Sequence, residues 1–535
     1  MYAKSNIMQV DREEGVFHED EKLLQRAGYK QELARRLGAF SNFAISLSTI
    51  CILAGGLTSF HVGLCSVGGA SIGIGWPVAC LFSLTVAATM AQVASAFPTA
   101  GGPYHWSSIL GGRGWGWATA CFNLAGLVTV LAAINVGTCR FAITVCCHQF
   151  DRDVSTVGPA VTMMTVIFIT VSQALINHWG IVLTSRLTDL SGYLIVAAAA
   201  LLTLALLIFG IAEVGFHPSR LITFNNYSGL PRGENPVWPY TENMLWLFAL
   251  GLLLPAYTLT GFDASAHTAE ETLGASLNVP RGIVRSVWVS GLAGWVMLAA
   301  IVLSIPNMEE AAGEGEQSFF YIIRRVVPQQ LQLLLYIGIV AAQYLCGLAT
   351  LTSASRMMYA FARDGGMPFS RLLRKVSLTR RCPSVAIWTV AAVATAFAIA
   401  IPYETVAAIC AIFLYMAYVL PTALSLRAHG RTWTRMGPWH IGRLYRPLAM
   451  LCVLGCSVLI VVGVQPPNDI ALWIVGGGIL MLAVLWWGYM APRFPGPPHA
   501  IYQMLRREEL PEPPRPTALA SSTTNPDLTD PNHSP

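Results

Sequence analysis

Charge is scarce in this chain. Asp, Glu, Lys and Arg make up 11% of its 535 residues, and 54% are hydrophobic; a soluble domain carries about 25% charged residues. The shortage excludes an ordinary soluble globule and points to a polytopic membrane protein, one bundle of about a dozen helices. The formal net charge of +5 is small, and no nucleic-acid partner is expected from it.

Metal-ligand spacing is missing too. The 12 cysteines lie mostly alone inside apolar segments (Cys51, Cys80, Cys121, Cys346, Cys410, Cys452), with no CxxC and no Cys/His cluster. They read as small apolar side chains, so no metal and no cofactor is expected beyond a coupling ion, H+ or Na+. A cleavable leader is absent from the reading as well. Residues 1–38 are polar and mixed in charge, as in "DREEGVFHEDEKLLQRAGYKQELARR", and read as a cytoplasmic tail. No gap between apolar runs is long enough for a soluble enzyme domain, and no intramembrane nucleophile–base pairing stands out, so an enzyme is not expected. A channel would show a continuous polar lining or charged rings, and a sensor an output domain. Neither is visible, and both stay as distant alternatives.

What is present is a series of apolar runs. A spanning helix needs about 20 such residues. Twelve runs qualify, near 40–66, 72–96, 115–146, 159–178, 187–212, 243–269, 283–305, 330–360, 384–402, 404–426, 445–464 and 469–490. An even count puts both termini on one side. The loop after span eight holds Arg363, Arg371, Arg374, Lys375, Arg380 and Arg381, and the loop after span ten holds Arg427, Arg431, Arg435, Arg443 and Arg446. The loops after spans nine and eleven hold no Lys or Arg, and the acidic "NMEEAAGEGEQ" falls on their side. The positive-inside rule then makes both termini cytoplasmic in a plasma or cytoplasmic membrane. The expected division is a tail at 1–38, a transporter domain at 39–492 and a mostly disordered, Pro/Ser/Thr-rich cytoplasmic tail at 493–535.

Two spans carry their weakest backbone at mid-depth. Span one, "FSNFAISLSTICILAGGLTSFHVGL", is interrupted at Ala54-Gly55-Gly56; span six, "MLWLFALGLLLPAYTLTGFDASAHTAEE", from Pro255 through Gly261. Unwound backbone in lipid leaves polar groups unpaired at several kcal/mol each. It persists only beside protein or a water-filled cavity. Interruptions at corresponding places in two halves are the sequence mark of a transporter site. Free amides at a half-helix start suit a carboxylate, and free carbonyls at a half-helix end suit an ammonium group or a cation. Glycine packing between helices is the competing explanation of a lone Gly-Gly. Asp263 is the sharpest single residue, since an intramembrane carboxylate is costly and functional by default. Proton carrier, gate latch, amine partner and cap of the second half-helix all stay open for it.

The chain resembles the amino acid–polyamine–organocation superfamily, and within it the amino acid/choline transporter branch with the GABA permeases. The resemblance is carried by "FSNFAISLSTICILAGGLTSF" (40–60), "SAFPTAGGPYHWSSIL" (95–110), "NHWGIVLTSRLTDLSGY" (177–193), "TGFDASAHTAEET" (260–272), "NVPRGI" (278–283) and "SASRMMYAFARDGGMP" (353–368). It implies an all-α, leucine-transporter-like bundle of 12 transmembrane helices. Broken helices 1 and 6 open inverted 5+5 repeats at 40–212 and 243–426, with two additional helices at 445–490.

The resemblance also implies roles. Ala54, Gly55, Gly56 and Leu57 would present amides to a substrate carboxylate, with Thr58 adding a hydroxyl. Tyr257 is the candidate aromatic lid; Thr258, Leu259, Thr260 and Gly261 would present carbonyls to the amine, and Phe262 a local gate. Asn123 would line the site. Glu270 and Glu271 fall at the cytoplasmic end of span six as gate residues. Thr352, Ser353 and Ser355 would supply hydroxyls to a sodium ion against span one, and Tyr415 and Tyr418 would close the site. One departure matters: where proton-coupled relatives place a Lys or His in span five, this chain has Ile195, and 190–211 contains no basic residue. The implied function is alternating-access transport of a small amine-bearing solute, an amino acid or GABA-like zwitterion. A choline or polyamine permease and an exchanger of the same fold are the alternatives.

Overall fold

The computed structural model describes residues 15–503 except Asp151 and Glu234. All regular structure among them is helical, apart from two isolated bridges. Ten helices are long and apolar enough to cross a membrane, and two shorter apolar ones, Met244–Thr258 and Ser384–Ala400, complete the series. Each coincides with an apolar run read from the sequence.

The first run is three pieces, α1 (Ala39–Ile50), α2 (Ile52–Thr58) and α3 (Phe60–Leu64). Then come α4 (Trp76–Ala96), a short α5 (Pro103–Gly111), α6 (Arg113–Gln149), α7 (Pro159–His178) and α8 (Ile181–Ala205). The sixth run is again in pieces, α9 (Met244–Gly251), α10 (Leu253–Thr258) and α11 (Ala264–His267). The rest are α12 (Ala275–Leu303), α13 (Gln329–Arg363), α14 (Ser384–Ala400), α15 (Tyr403–Ala428), α16 (Tyr445–Gly463) and α17 (Asp469–Leu485).

Burial orders these helices. In α6 89% of the most apolar stretch lies inside the protein, whereas the corresponding share is 28% around α7 and α16 and 11% around α17. A helix apolar all round belongs in a core or against lipid; here α6 takes the centre, packed along α15 and α13, and α17 the rim. The broken pieces α1, α2 and α11 pack on α12 and α13, α2 also on α6, and α10 packs on α2, α4 and α15. That position lets irregular backbone face protein instead of lipid, as it must.

The N-terminal tail folds back onto the bundle. A helix at 15–26 brings Asp20 to the start of α12, where its carboxylate accepts from the amides of Gly274 (2.7 Å) and Ala275 (3.3 Å). This satisfies donors that a helix start leaves unpaired and suits the dipole there. Burial pushes the Asp20 carboxyl up, against the pull of Arg35 at 3.4 Å. At the other end, the expected disordered tail is ordered from 493 to 503. Phe494 and Ile501 are buried, and the Phe494 carbonyl accepts from Arg113. Residues 1–14 and 504–535, which hold the remaining parts of the two expected tails, lie outside the described residues.

Candidate functional site

Helix one breaks at Cys51, four residues before the first of the glycines. Cys51 stands at φ 30°, ψ 86°, left-handed backbone that a side chain rarely adopts. The amides of Ala54 (2.8 Å) and Gly55 (3.1 Å) both donate back to the Cys51 carbonyl. The donors left without a backbone partner are therefore Ile52 and Leu53, the first two of α2. Gly55 and Gly56 are helical, which corrects the reading that they unwind. The smallness of Gly55 serves packing, and that of Gly56 does not. A Cβ at Gly55 would lie 2.8 Å from Thr258 Oγ1 and 3.0 Å from Thr258 Cα, whereas one at Gly56 would meet only Leu298 and Met297 at 3.7–3.8 Å.

Helix six unwinds from Leu259 to Asp263. Pro255 to Thr258 are helical, so this break begins later than the sequence suggests, whereas the break in helix one comes earlier. Gly261 has φ +86°, and a Cβ there would be 2.6 Å from Thr49 Cγ2. Glycine is thus required twice, for its backbone angle and for its contact with the end of α1. The Phe262 carbonyl accepts from Ser46 at 2.7 Å, and Ser46 and Ser265 share a 2.6 Å hydrogen bond. The two discontinuities are in direct contact.

Asp263 closes this region. Its Oδ1 accepts from Tyr418 (2.7 Å), and its Oδ2 from Asn123 (2.8 Å), with His267 Nε2 3.1 Å away. The Tyr418 hydroxyl also accepts from the Gly261 amide at 3.1 Å. Asn123 must turn its amino group to the carboxylate, which leaves its buried Oδ1 unpartnered.

On the side that holds the N-terminal tail, the path is sealed by buried ion pairs. Arg356 Nε meets Glu271 at 3.0 Å, both side chains at 0% exposure, and Arg363 holds Glu270 with two 2.9 Å hydrogen bonds. Asp364 Oδ2 receives Tyr29 and Tyr104 at 2.8 Å each, with His105 at 3.0 Å. The Arg363 guanidinium lies 3.8 Å over the Tyr29 ring. Burial, and then the charge of Asp364, push the Tyr29 phenol well above its ordinary value, so it stays a donor.

On the opposite side a cavity of about 700 Å³ opens. It is lined by Ser59, His61, Glu316, Tyr403 and Glu404, and reaches down to Ala256, Tyr257 and Tyr415. The Tyr415 hydroxyl donates to the Ala256 carbonyl at 3.0 Å. Tyr257 and Tyr415 thus stand between the cavity and the breaks. Arg140 bridges Glu316 (3.2 Å) and Glu404 (2.9 Å) at the mouth.

The remaining residues singled out from sequence are placed as follows. Ala54 and Leu57 are buried in α2, and Thr58 accepts from Tyr403 at 3.2 Å while donating to the Ala54 carbonyl. Thr258 and Thr260 bond within helix six, to Leu254 and Tyr257. Phe262 packs on Tyr418, ring centroids 4.9 Å apart. The hydroxyls of Thr352, Ser353 and Ser355 spend their hydrogen bonds on Asn177, Ala349 and Thr352. Groups of α13 that meet the break in helix one include Ala342, whose carbonyl lies 3.9 Å from Cys51 Sγ, Gln343, donating to the Leu53 carbonyl at 3.1 Å, and Cys346, at 3.6 Å from the Thr49 carbonyl. Ile195 is buried in α8. Sequence reasoning missed His267, though its spacing of four from Asp263 on a helix was a signal. It also missed Cys51, Arg356, Tyr29 and Asp364, which have no local signal of a shared site.

The family profile described as amino acid permease matches residues 37–489. The chain is 32% identical over 472 residues to the amino-acid permease BAT1 of Arabidopsis thaliana, covering 83% of this chain and 88% of that one. It is 31% identical over 460 residues to a BAT1 homolog of Oryza sativa, covering 82% and 86%. It is 26% identical over 474 residues to the GABA-specific permease of Saccharomyces cerevisiae, covering 84% and 79%.

Proposed function

As this chain belongs to the amino acid permease family of the amino acid–polyamine–organocation superfamily, we propose that its substrate is an amino acid zwitterion held between the breaks of helices one and six. The observation that supports this is the contact between the two breaks, Gly261 on Thr49 and the Phe262 carbonyl on Ser46, one break bringing free amides and the other free carbonyls. The substrate carboxylate takes the free amides of Ile52 and Leu53, with Ala54 beside them, at the positive end of α2. The ammonium takes the carbonyls of the Leu259–Gly261 stretch and Asn123 Oδ1. Tyr257, Phe262, Tyr415 and Tyr418 enclose it. The GABA-specific name of the yeast relative favours small zwitterions with the amine on a short chain.

In this reading the twelve apolar helices are twelve spans, the two broken helices open inverted repeats of five, and both termini are cytoplasmic. The arrangement described here is then outward-facing, with the Glu270–Arg363 and Glu271–Arg356 pairs as the closed inner gate. A cationic solute is the second reading, favoured by the surplus of carboxylate over Arg140 in the vestibule.

Uptake into proteoliposomes tests both. A labelled panel of amino acids, GABA, choline and putrescine is offered under separate proton and sodium gradients. Saturable flux of a zwitterion supports the proposal; flux of choline or putrescine alone supports the second reading. No gradient-sensitive or exchange flux of any member would refute transport by this site.

A further inference from the structure

The pair Asp263–His267 does more than the substrate site requires. Both side chains have 0% exposure. Besides Nε2 at Asp263, the imidazole places Nδ1 3.3 Å from the carbonyl of Ala100, in the loop between α4 and α5. Among the described residues, the buried arginines at this end of helix six, Arg356 and Arg363, are taken by Glu271 and Glu270.

Counting protons decides what the pair is. A carbonyl oxygen only accepts, so the contact with Ala100 needs a hydrogen on Nδ1. The contact between Nε2 and Oδ2 needs one more, on either atom. Both hydrogen bonds exist together only if the pair holds two protons, as imidazolium with carboxylate or as imidazole with carboxylic acid. Either form is neutral overall, as a buried pair prefers. Remove one proton and a lone pair must face an oxygen, at Ala100 or at Asp263.

We propose that Asp263 and His267 together are the proton-binding site that couples transport to a proton gradient, and that the arrangement seen here is its loaded form. This rests on the transport reading above. It replaces the basic residue that α8 lacks at Ile195. The step is a proton transfer only: one proton is gained by the pair from the vestibule side and lost to water on the tail side, with no change of oxidation state.

The Ala100 peptide links this site to the gate. Its carbonyl faces His267, and its amide donates to Glu270 Oε1 at 3.2 Å, the carboxylate that Arg363 grips. Gly102, at φ +47°, seats the same loop on the imidazole; a Cβ there would be 3.3 Å from His267 Cε1. Losing the proton on Nδ1 frees the loop from helix six beside the gate pair. Around the dyad, the titratable groups are Tyr418 from α15, the Glu271–Arg356 and Glu270–Arg363 pairs, and His105, itself held by Thr99 and Asp364. Asn123 from α6 meets the dyad itself; Asn42, Ser46 and Thr49 from α1 meet the residues beside it, Ser265, Phe262 and Gly261, and all four are neutral, while α12 meets α11 at Gly282.

The test uses the full chain in proteoliposomes with an entrapped pH dye and an amino acid that wild type exchanges. Substrate entry should carry protons, and the ratio of gradient-driven uptake to exchange should fall to its zero-gradient level in His267→Gln and in Asp263→Asn. Proton movement persisting in His267→Gln overturns the assignment. So does wild-type uptake without proton movement, which leaves amino acid transport standing. Absence of any wild-type uptake or exchange overturns the transport reading instead. If the variants fail size-exclusion chromatography, Gly102→Ala removes no titratable group but presses on the imidazole. A shifted pH profile of exchange supports the site, and an unshifted one overturns it.

Discussion

The Tyr418 hydroxyl stands between the Gly261 amide and the Asp263 carboxylate, accepting from one at 3.1 Å and donating to the other at 2.7 Å. One oxygen on α15 thereby ties the unwound backbone of helix six to its buried acid. Tyr418→Phe leaves a buried N–H without a partner and takes a donor from a carboxylate, a loss of about 1–3 kcal/mol. We expect a lower melting temperature in detergent and weaker uptake. Tyr415→Phe, which frees only the Ala256 carbonyl toward a cavity, should be milder. Equal effects in the two variants would argue against this tie.

The adjacent glycines of "ILAGGLTSF" should behave differently. Gly55→Ala drives a methyl into Thr258, including its backbone, and overpacking of this kind costs about 1–3 kcal/mol. Gly56→Ala meets ordinary contacts and gains up to about 1 kcal/mol of helix propensity. Thermal unfolding of the two variants separates a packing role from a cradle role: in a cradle, Gly56→Ala would cost binding without costing stability.

The Glu271–Arg356 pair is fully buried, so removing one partner strands the other. Glu271→Gln or Arg356→Met should each destabilise by about 3–5 kcal/mol, with the double variant less damaged than the sum. An additive double variant, measured by the same unfolding assay, would show that the two do not act as a pair.

Glu316 sets a pH dependence at the vestibule mouth. Burial, and then its hydrogen bond to Glu404, push its carboxyl up to about 7. A raised acid is neutral below that value and ionised above it. Arg140 therefore faces one carboxylate at low pH and two at high pH, and the mouth gains a negative charge as pH rises through about 7. The apparent affinity for a cationic amino acid, relative to a neutral one, should rise across that window. Glu316→Gln should flatten the profile, and an unchanged profile in that variant would sink the assignment.

The positions of the helices were legible because lipid-scale apolar runs are a property of the sequence itself. The two weak helices were legible for the same reason: glycine and proline at mid-depth are local facts. Where each helix breaks was not. Gly55 and Gly56 looked like the break because glycine is a poor helix former, yet both are helical: the Gly55 amide closes a turn onto Cys51, and close packing on Thr258 uses the smallness of Gly55 alone. The strain moved to Cys51, where α13 offers partners through Ala342 and Cys346.

Sequence by itself determined an all-helical membrane protein of the amino acid permease family, with its irregular backbone in helices one and six and one acid, Asp263, beside it. Tertiary structure alone decided what that acid meets. Tyr418 and Asn123 come from helices remote in the chain, and the carbonyl of Ala100 gives His267 a second partner. A hydrogen-bond count closes only over atoms brought together in space, so the proton content of the Asp263–His267 pair was not a property that residue order could carry.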